Sequence, residues 1–417
     1  MGLGLIFEAN ARMRRHGLGA CGAVCVLIVL VLCGTAAADE RGRLCINAES
    51  VWQRGGADDD LFFGLVHGVL GDDNDHTYVL DKRLAHIVVL DSEGQFLRTL
   101  GRSGDGPGEL RHPHASLWMP DGSLGLLQGL PGRLVTRNLD NIPGPDLRLD
   151  LGSDSGLLMA FGVRSGGGRI VVAGSRLATE SGAGHDYVMA DIDRDGRVKQ
   201  ILWSAARPLS LQDAPFVEVA DSLPSTDLWD VASDGTVAHA PRRDSYLIRL
   251  HRTDGSIETL ARHKKHRQRS AAELYAASEP FAVYQQRYGD HIDHQLMTHA
   301  PDITSVQFDS GGLLWVRTSR SDPPFCAAGS RCWDVFSPKG SYMGEIQISW
   351  PGARPDDRVW FMPNGGMVVV RGVGDAQHRS IPEKRKGVAK DSEIIVMRLA
   401  VEGLPSGEKR IVLGAAD

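Results

Sequence analysis

The chain has 417 residues, 42% of them apolar, with 49 glycines, 20 prolines and a formal net charge of −6. That length can bury one large core or two ordinary ones, and Gly and Pro spread through the whole chain as many short strands and turns require. The acidic balance argues against a nucleic-acid partner, whose phosphates call for a basic face.

Residues 1–38 read as a signal for export. Arg14, Arg15 and His16 form a basic start, Leu18–Leu32 is apolar and uncharged, and Ala36-Ala37-Ala38 offers small residues for cleavage before Asp39. Losing Arg12, Arg14, Arg15 and Glu8 with that segment takes the net charge from −6 to −8. Left uncleaved, the segment would anchor the chain in a membrane, although its apolar run is short against the ~20 residues of a spanning helix. The GxGxxG match at Gly17–Gly22 has no flanking strand and is set aside. Beyond residue 38 the cysteines are Cys45, Cys326 and Cys332. Only Ala-Ala-Gly-Ser-Arg separates the last two, so a disulfide clipping one loop is expected in an oxidising compartment.

A hairpin unit then recurs along residues 39–417. In Val88–Leu97 an apolar strand runs into the polar turn Asp91-Ser92-Glu93-Gly94, and a second strand follows. Glycine suits the end of such a turn because tight hairpins need positive φ. Turns of one kind are expected near Asp73, Gly122, Gly167, Gly235, Gly311 and Gly365. Turns of a second kind are expected near Gly94, Gly144, Gly196, Gly255, Gly340 and Gly403. The two kinds alternate, and two turns per four-stranded unit give six units. The fold class is therefore all-β, a six-bladed β-propeller, in which radial repetition leaves only short sheet edges. Blade 2 has the least regular pattern, at Asn141-Ile142-Pro143-Gly144, and the segment around Cys45–Trp52 is expected to complete the last blade.

Residues 268–297 break the rhythm. Ala271–Ala277 favours helix, so a short helical insertion is expected between blades 4 and 5. The preceding Arg262–Arg267 run reads as a solvated loop, with an anionic-partner patch as the alternative.

Blade 1 carries a resemblance. It contains Tyr78-Val79-Leu80-Asp81, His86–Asp91, Gly94–Gly101 and the loop Gly104-Asp105-Gly106-Pro107-Gly108-Glu109-Leu110, followed by Pro113. This order resembles the NHL repeat, and the chain looks like bacterial exported six-bladed propellers of the TolB-like shape. The match is specific over residues 75–125 and diffuse elsewhere, although Trp333-Asp334-Val335-Phe336 with Gly340 fits later blades of that family. Leu84 and His86 stand where NHL repeats usually carry Asn and Arg ahead of the third strand. A polar ligand contact or an RNA contact is therefore not carried over, and fold alone does not transfer function.

Chemical signatures are sparse. Asp191, Asp193 and Asp195, with Gly196, begin like a calcium loop. The twelfth position is Leu202 rather than Glu, and a hairpin turn is due there, so Ca²⁺ is a weak candidate and no other cofactor is indicated. His263-x-x-His266 and His291-x-x-His294, with His299, lack a completing carboxylate. No GxSxG elbow occurs, since Gly101–Asp105 fails at its last position.

In a propeller the loops joining strands two and three share a face with the blade-to-blade connections. Long ones are expected at Ser175–His185, Ser319–Arg331 and Arg371–Asp391, beside Gly101–Pro113. Long loops on a rigid scaffold are the usual place for binding. Asp81, Arg102, Asp105, His112, Arg133, His185 and Arg317 are the candidate binding residues there. The sequence thus reads as an extracytoplasmic scaffold that binds a protein or small ligand on its loop face, in the periplasm or outside the cell. Membrane contact is expected only through the signal segment. The alternative is a metal-assisted hydrolase or lactonase with carboxylates at the channel mouth.

Overall fold

A computed structural model of the chain describes residues 37–38, 43–151, 158–178, 184–208, 216–221, 227–289, 293–380 and 393–404. The signal reading of residues 1–38 falls almost wholly outside them.

Five four-stranded antiparallel sheets and one six-stranded sheet, built on four antiparallel strands, form the six blades. Blade 1 comprises Val66–Gly71, Thr77–Asp81, His86–Leu90 and Phe96–Leu100. Blade 2 comprises Pro113–Trp118, Leu124–Gln128, Arg133–Arg137 and the two-residue Leu147–Arg148. Blade 3 comprises Leu158–Gly166, Arg169–Ala178, Gly184–Ile192 and Val198–Pro208. Blade 4 comprises Trp229–Val231, Val237–His239, Leu247–His251 and Ile257–Ala261. Blade 5 comprises Ser305–Phe308, Leu314–Arg317, Ser330–Phe336 and Tyr342–Ser349, and blade 6 begins with Arg358–Phe361, Met367–Arg371 and Ile395–Ala400. The short fourth strand of blade 2 follows the irregular Asn141–Gly144 turn, as the sequence suggests.

Ring closure differs in detail from the expectation. Blade 6 takes its outer strand from Glu49–Gly55, which pairs antiparallel with Ile395–Ala400. The turn expected near Gly403 therefore joins no two strands of this blade. Leu44–Asn47, inside the segment expected to close the ring, instead lies parallel to Tyr342–Ser349 and adds a strand to blade 5. Residues close in sequence thus tie two adjacent blades together.

Each blade buries both faces, so its central strands lose the polar alternation of a half-exposed sheet. Thr77–Asp81 is buried at every position. The side chains still alternate in direction. Tyr78 and Leu80 join Leu124, Leu126 and Val135 of blade 2, whereas Val79 joins Val368, Val370 and Val396 of blade 6. Each of the six blade-to-blade contacts has an apolar cluster of this kind. Each fully buried Val, Leu or Ile contributes about 1.5–3 kcal/mol.

A polar girdle joins the inner strands around the axis. Trp118 Nε1 donates to Gly71 O at 2.8 Å, and Ser165 Oγ donates to Trp118 O at 2.5 Å. Arg164 faces Asp230 at 3.5 Å, and Asp230 accepts from Phe308 N at 2.7 Å. Gln307 Nε2 donates to Val359 O at 3.0 Å, and Asn364 Nδ2 reaches Asp73 O at 3.3 Å. Every neighbouring pair of blades is bridged, so the bonds run once around the ring. This arrangement fixes the inner strands that line the channel.

The helical insertion is present as Ala271–Tyr288, opened by a Ser270/Glu273 capping box and ended by Gly289 at φ 75°. It stands on the connection between blades 4 and 5. Arg269 holds the buried Glu218 at 2.6 Å. The basic run before it is not the solvated loop expected. Arg262 and Lys264 both bind the buried Asp334, at 2.6 and 2.5 Å, and Arg267 binds Glu273.

Candidate functional site

The first strands of the six blades enclose a central cavity of about 610 Å³. Blades 1, 2 and 3 share a device at its upper, loop-side end. Their inner strands are each interrupted by a β-bulge, between Val66 and Gly68, Pro113 and Ala115, and Ala160 and Gly162. The extra residues are His67, His114 and Phe161. A bulge adds one residue against one partner and re-aims its side chain. Here it turns His67 and His114 to the cavity, with ring centroids 6.1 Å apart and nearly perpendicular. Close backbone approach makes room for the second ring, since a Cβ on Gly129 would stand 2.9 Å from His114 Cδ2.

The environment of these partly buried rings is cationic. Lys82 Nζ, just past the second strand of blade 1, lies 3.4 Å from His114 Nδ1. Burial, then the charges of Lys82 and Arg358, push His67 down to about 4. Burial, then Lys82 and His112, push His114 down to about 4. Both imidazoles are therefore neutral at pH 7, and the His114 Nδ1 lone pair faces an ammonium that donates to it. Burial lowers the Lys82 pKa as well.

Most other charges around the cavity are already engaged. Arg164 pairs with Asp230, and Arg317 with Asp322 at 3.0 Å. Asp357 accepts from Trp350 Nε1 and faces Arg371. Asp309 accepts from Trp315 Nε1 at 2.9 Å. Ser116, 7% exposed, lines the cavity, and its buried Oγ has no hydrogen-bond partner. Neither does the buried Nδ1 of His67.

The residues singled out from sequence distribute differently. Asp81 is fully buried, and its carboxylate accepts from the backbone N–H groups of Gly64, Leu65, Arg83 and Leu84. It caps the loops on either side of blade 1. Arg102 pairs with Glu109, and Asp105 with Arg111, both at 2.6 Å within the Gly101–His112 connection. His112 ends that loop with φ 48°. Arg133 joins them by donating to Glu109 O at 2.9 Å while pairing with Asp146. These four form one exposed patch. Among the six whose side chains are described, Arg317 alone lines the cavity. His185 lies in the third strand of blade 3, and its side chain is outside the described residues.

Asp193 organises a hairpin turn, accepting from Asp195 N and Arg197 N at 2.9 Å, while Asp191 points to Arg169 at 3.1 Å. Among the described residues, no three His, Cys, Asp or Glu side chains gather into a metal-holding group. Cys326 and Cys332 form a disulfide with Cα atoms 6.1 Å apart, tying the loop between strands two and three of blade 5 to strand three.

Sequence reasoning passed over His67, His114, Lys82, Arg358 and Ser116. One signal was present. His67, His114 and Phe161 follow one another at intervals of 47 residues, and Gly or Ala follows each.

No protein-family model matches the chain, and no curated protein matches it. Solved structures with similar architecture include a DUF4221-family member from Bacteroides vulgatus, at 9% identity and TM-score 0.46, covering 85% of this chain and 98% of that one. Another is the calcium-binding protein regucalcin from Agrobacterium tumefaciens, at 12% identity and TM-score 0.44, covering 87% and 98%. A third is a catalytically inactive virginiamycin B lyase from Staphylococcus aureus with quinupristin, at 8% identity and TM-score 0.40, covering 84% and 99%. Likeness at this level speaks to neither ligand nor activity. What the chain has of its own is a six-bladed β-propeller with two bulge-presented histidines at the channel mouth.

Proposed function

We propose that this protein is an exported binding propeller of NHL-like type that takes a small ligand at the loop-side mouth of its central channel. The observation that carries the reading is the paired bulge. Two inner strands each give up a ladder position to aim a neutral imidazole at one open cavity. In blade 3 the same device packs Phe161 against Tyr187, whereas in blades 1 and 2 it offers a ligand two oriented polar groups. Export rests on the signal-like residues 1–38 and accords with the Cys326–Cys332 disulfide. A binding role is favoured over metal-assisted hydrolysis because three of the five aspartates lining the cavity, Asp230, Asp309 and Asp357, are held by protein donors.

Ligand-observed NMR of a small-molecule library against the folded protein tests this. Ligands that bind the wild type are expected to lose binding in His67→Ala and His114→Ala. Ligands that keep full affinity in both variants place the site elsewhere and overturn the proposal. Turnover of the bound ligands, measured on the same samples, would convert the reading to that of an enzyme.

A further inference from the structure

The geometry points to a small oxyanion group, a carboxylate, phosphate or sulfate, as the ligand feature held between blades 6, 1 and 2, with Lys82 and Arg358 supplying charge and Ser116 and His67 supplying hydrogen bonds. This rests on the channel-mouth reading and names the chemistry of that site.

Four observations converge. Arg358 is partly buried on the first strand of blade 6 and lines the cavity. It has no hydrogen bond or ion pair among the described residues, although the chain's other channel arginines, Arg164 and Arg317, both have carboxylate partners. Lys82, beside the cavity lining rather than in it, is partly buried, and its ammonium meets the neutral His114 ring with no carboxylate partner among the described residues. Two cations taken partly out of water without a counter-charge are unfavourable, and both bear on His67. The third observation is the Ser116 hydroxyl, more than nine-tenths buried and unpartnered at the same cavity. It can donate to an oxygen and satisfy itself in doing so. The fourth is His67 Nδ1, buried and without a partner among the described residues, on a ring that also bonds the backbone of His114. An oxyanion offers what this constellation lacks, which is negative charge together with several acceptor lone pairs. Asp227 lines the opposite wall from blade 4, and on the blade 6 wall Asp356 and Asp357 line the cavity with Arg358, Asp357 being held by Trp350 and Arg371.

The test is calorimetric titration of the full protein with sulfate, phosphate and acetate at fixed ionic strength, with glycerol as a neutral control. Saturable binding of at least one oxyanion and none of glycerol is expected. Arg358→Gln and Lys82→Met should each weaken it roughly 10- to 100-fold, with unchanged near-ultraviolet circular dichroism showing an intact fold. Preference for phosphate or sulfate marks a tetrahedral group, and preference for acetate marks a carboxylate. Wild-type protein supplies a second readout that needs no variant, because the imidazole resonances of His67 should shift on titration with the anion. Absence of saturable binding by all three anions overturns the inference, as does binding that both variants leave intact. If neutral library ligands depend on His67 and His114 but not on Arg358, the channel-mouth reading stands and the oxyanion inference alone fails.

Discussion

Asp81 offers the sharpest separation between a binding role and a structural one. Its carboxylate is fully buried and accepts four backbone N–H groups, from Gly64 at 2.5 Å, Leu65 at 3.2 Å, Arg83 at 2.9 Å and Leu84 at 3.0 Å. Asp81→Ala would leave those donors facing a void. An unsatisfied buried donor costs about 1–3 kcal/mol, and partial relaxation of the loops brings the total to about 3–5 kcal/mol. Asp81→Asn is a finer probe. Oδ1 takes three of the four bonds, so an amide oxygen placed there keeps Leu65, Arg83 and Leu84. Its NH₂ would then confront the Gly64 N–H, a donor against a donor, at about 1–3 kcal/mol. Urea unfolding of the three proteins, followed by tryptophan fluorescence, measures both. The expected order of stability is wild type, then Asn, then Ala. An Ala variant within about 0.5 kcal/mol of wild type would refute the capping argument, and loss of ligand at unchanged stability would return Asp81 to a binding role.

Three further outcomes follow from the packing and the charges. Gly94 sits at φ 77°, and a Cβ there would stand 2.7 Å from the Trp52 ring of the closing strand. Gly94→Ala should therefore cost about 1–3 kcal/mol and lower the thermal midpoint, whereas Gly255→Ala, at φ 85° with open space around it, should cost less. Stability should fall on acidification from pH 6.5 towards 4. The unfolded histidines take up protons near 6.5, while burial holds His67 and His114 down to about 4 and the nearly inaccessible His239 down to about 3. The unfolded state then binds more protons across that window, so stability rises with pH there, by at most about 1.4 kcal/mol per pH unit for each histidine. His239 faces His251 and Arg249, whose charges act in the same direction, and His239→Leu should flatten the slope measured by urea unfolding at several pH values. Arg331 is 1% exposed and donates to Asp322 and to the carbonyls of Asp357, Arg354 and Pro355. Arg331→Met should destabilise by about 3–5 kcal/mol, and a smaller loss in the unfolding curve would mean that water replaces those bonds.

The scaffold was legible because turn chemistry is local. Asp91 accepts from Glu93 N and Gln95 N while Gly94 takes positive φ, and this is written in four consecutive residues. Eleven of the expected turns join consecutive strands of a blade, with a positive-φ residue in each. The twelfth misled because a Gly near a strand end does not reveal that the partner strand comes from the other end of the chain. Capping in the insertion was equally local, in Ser270 and Glu273. The site was less legible. Long polar loops drew attention to Arg102, Asp105 and Arg133, yet these residues are engaged by Glu109, Arg111 and Asp146. His67 and His114 sit in inner strands that read as apolar, and a bulge is visible only when two strands are set in register. Arg358 and Lys82 are ordinary surface residues by type. Their lack of counter-charge depends on which blades meet, which local pattern does not encode.

The oxyanion account of the channel mouth is tested most directly by anomalous diffraction from crystals of the protein soaked in selenate. The account predicts a selenium peak in the central cavity, within hydrogen-bonding reach of Lys82 Nζ or the Arg358 guanidinium. Peaks confined to the outer surface, with the channel mouth empty at saturating selenate, would contradict it.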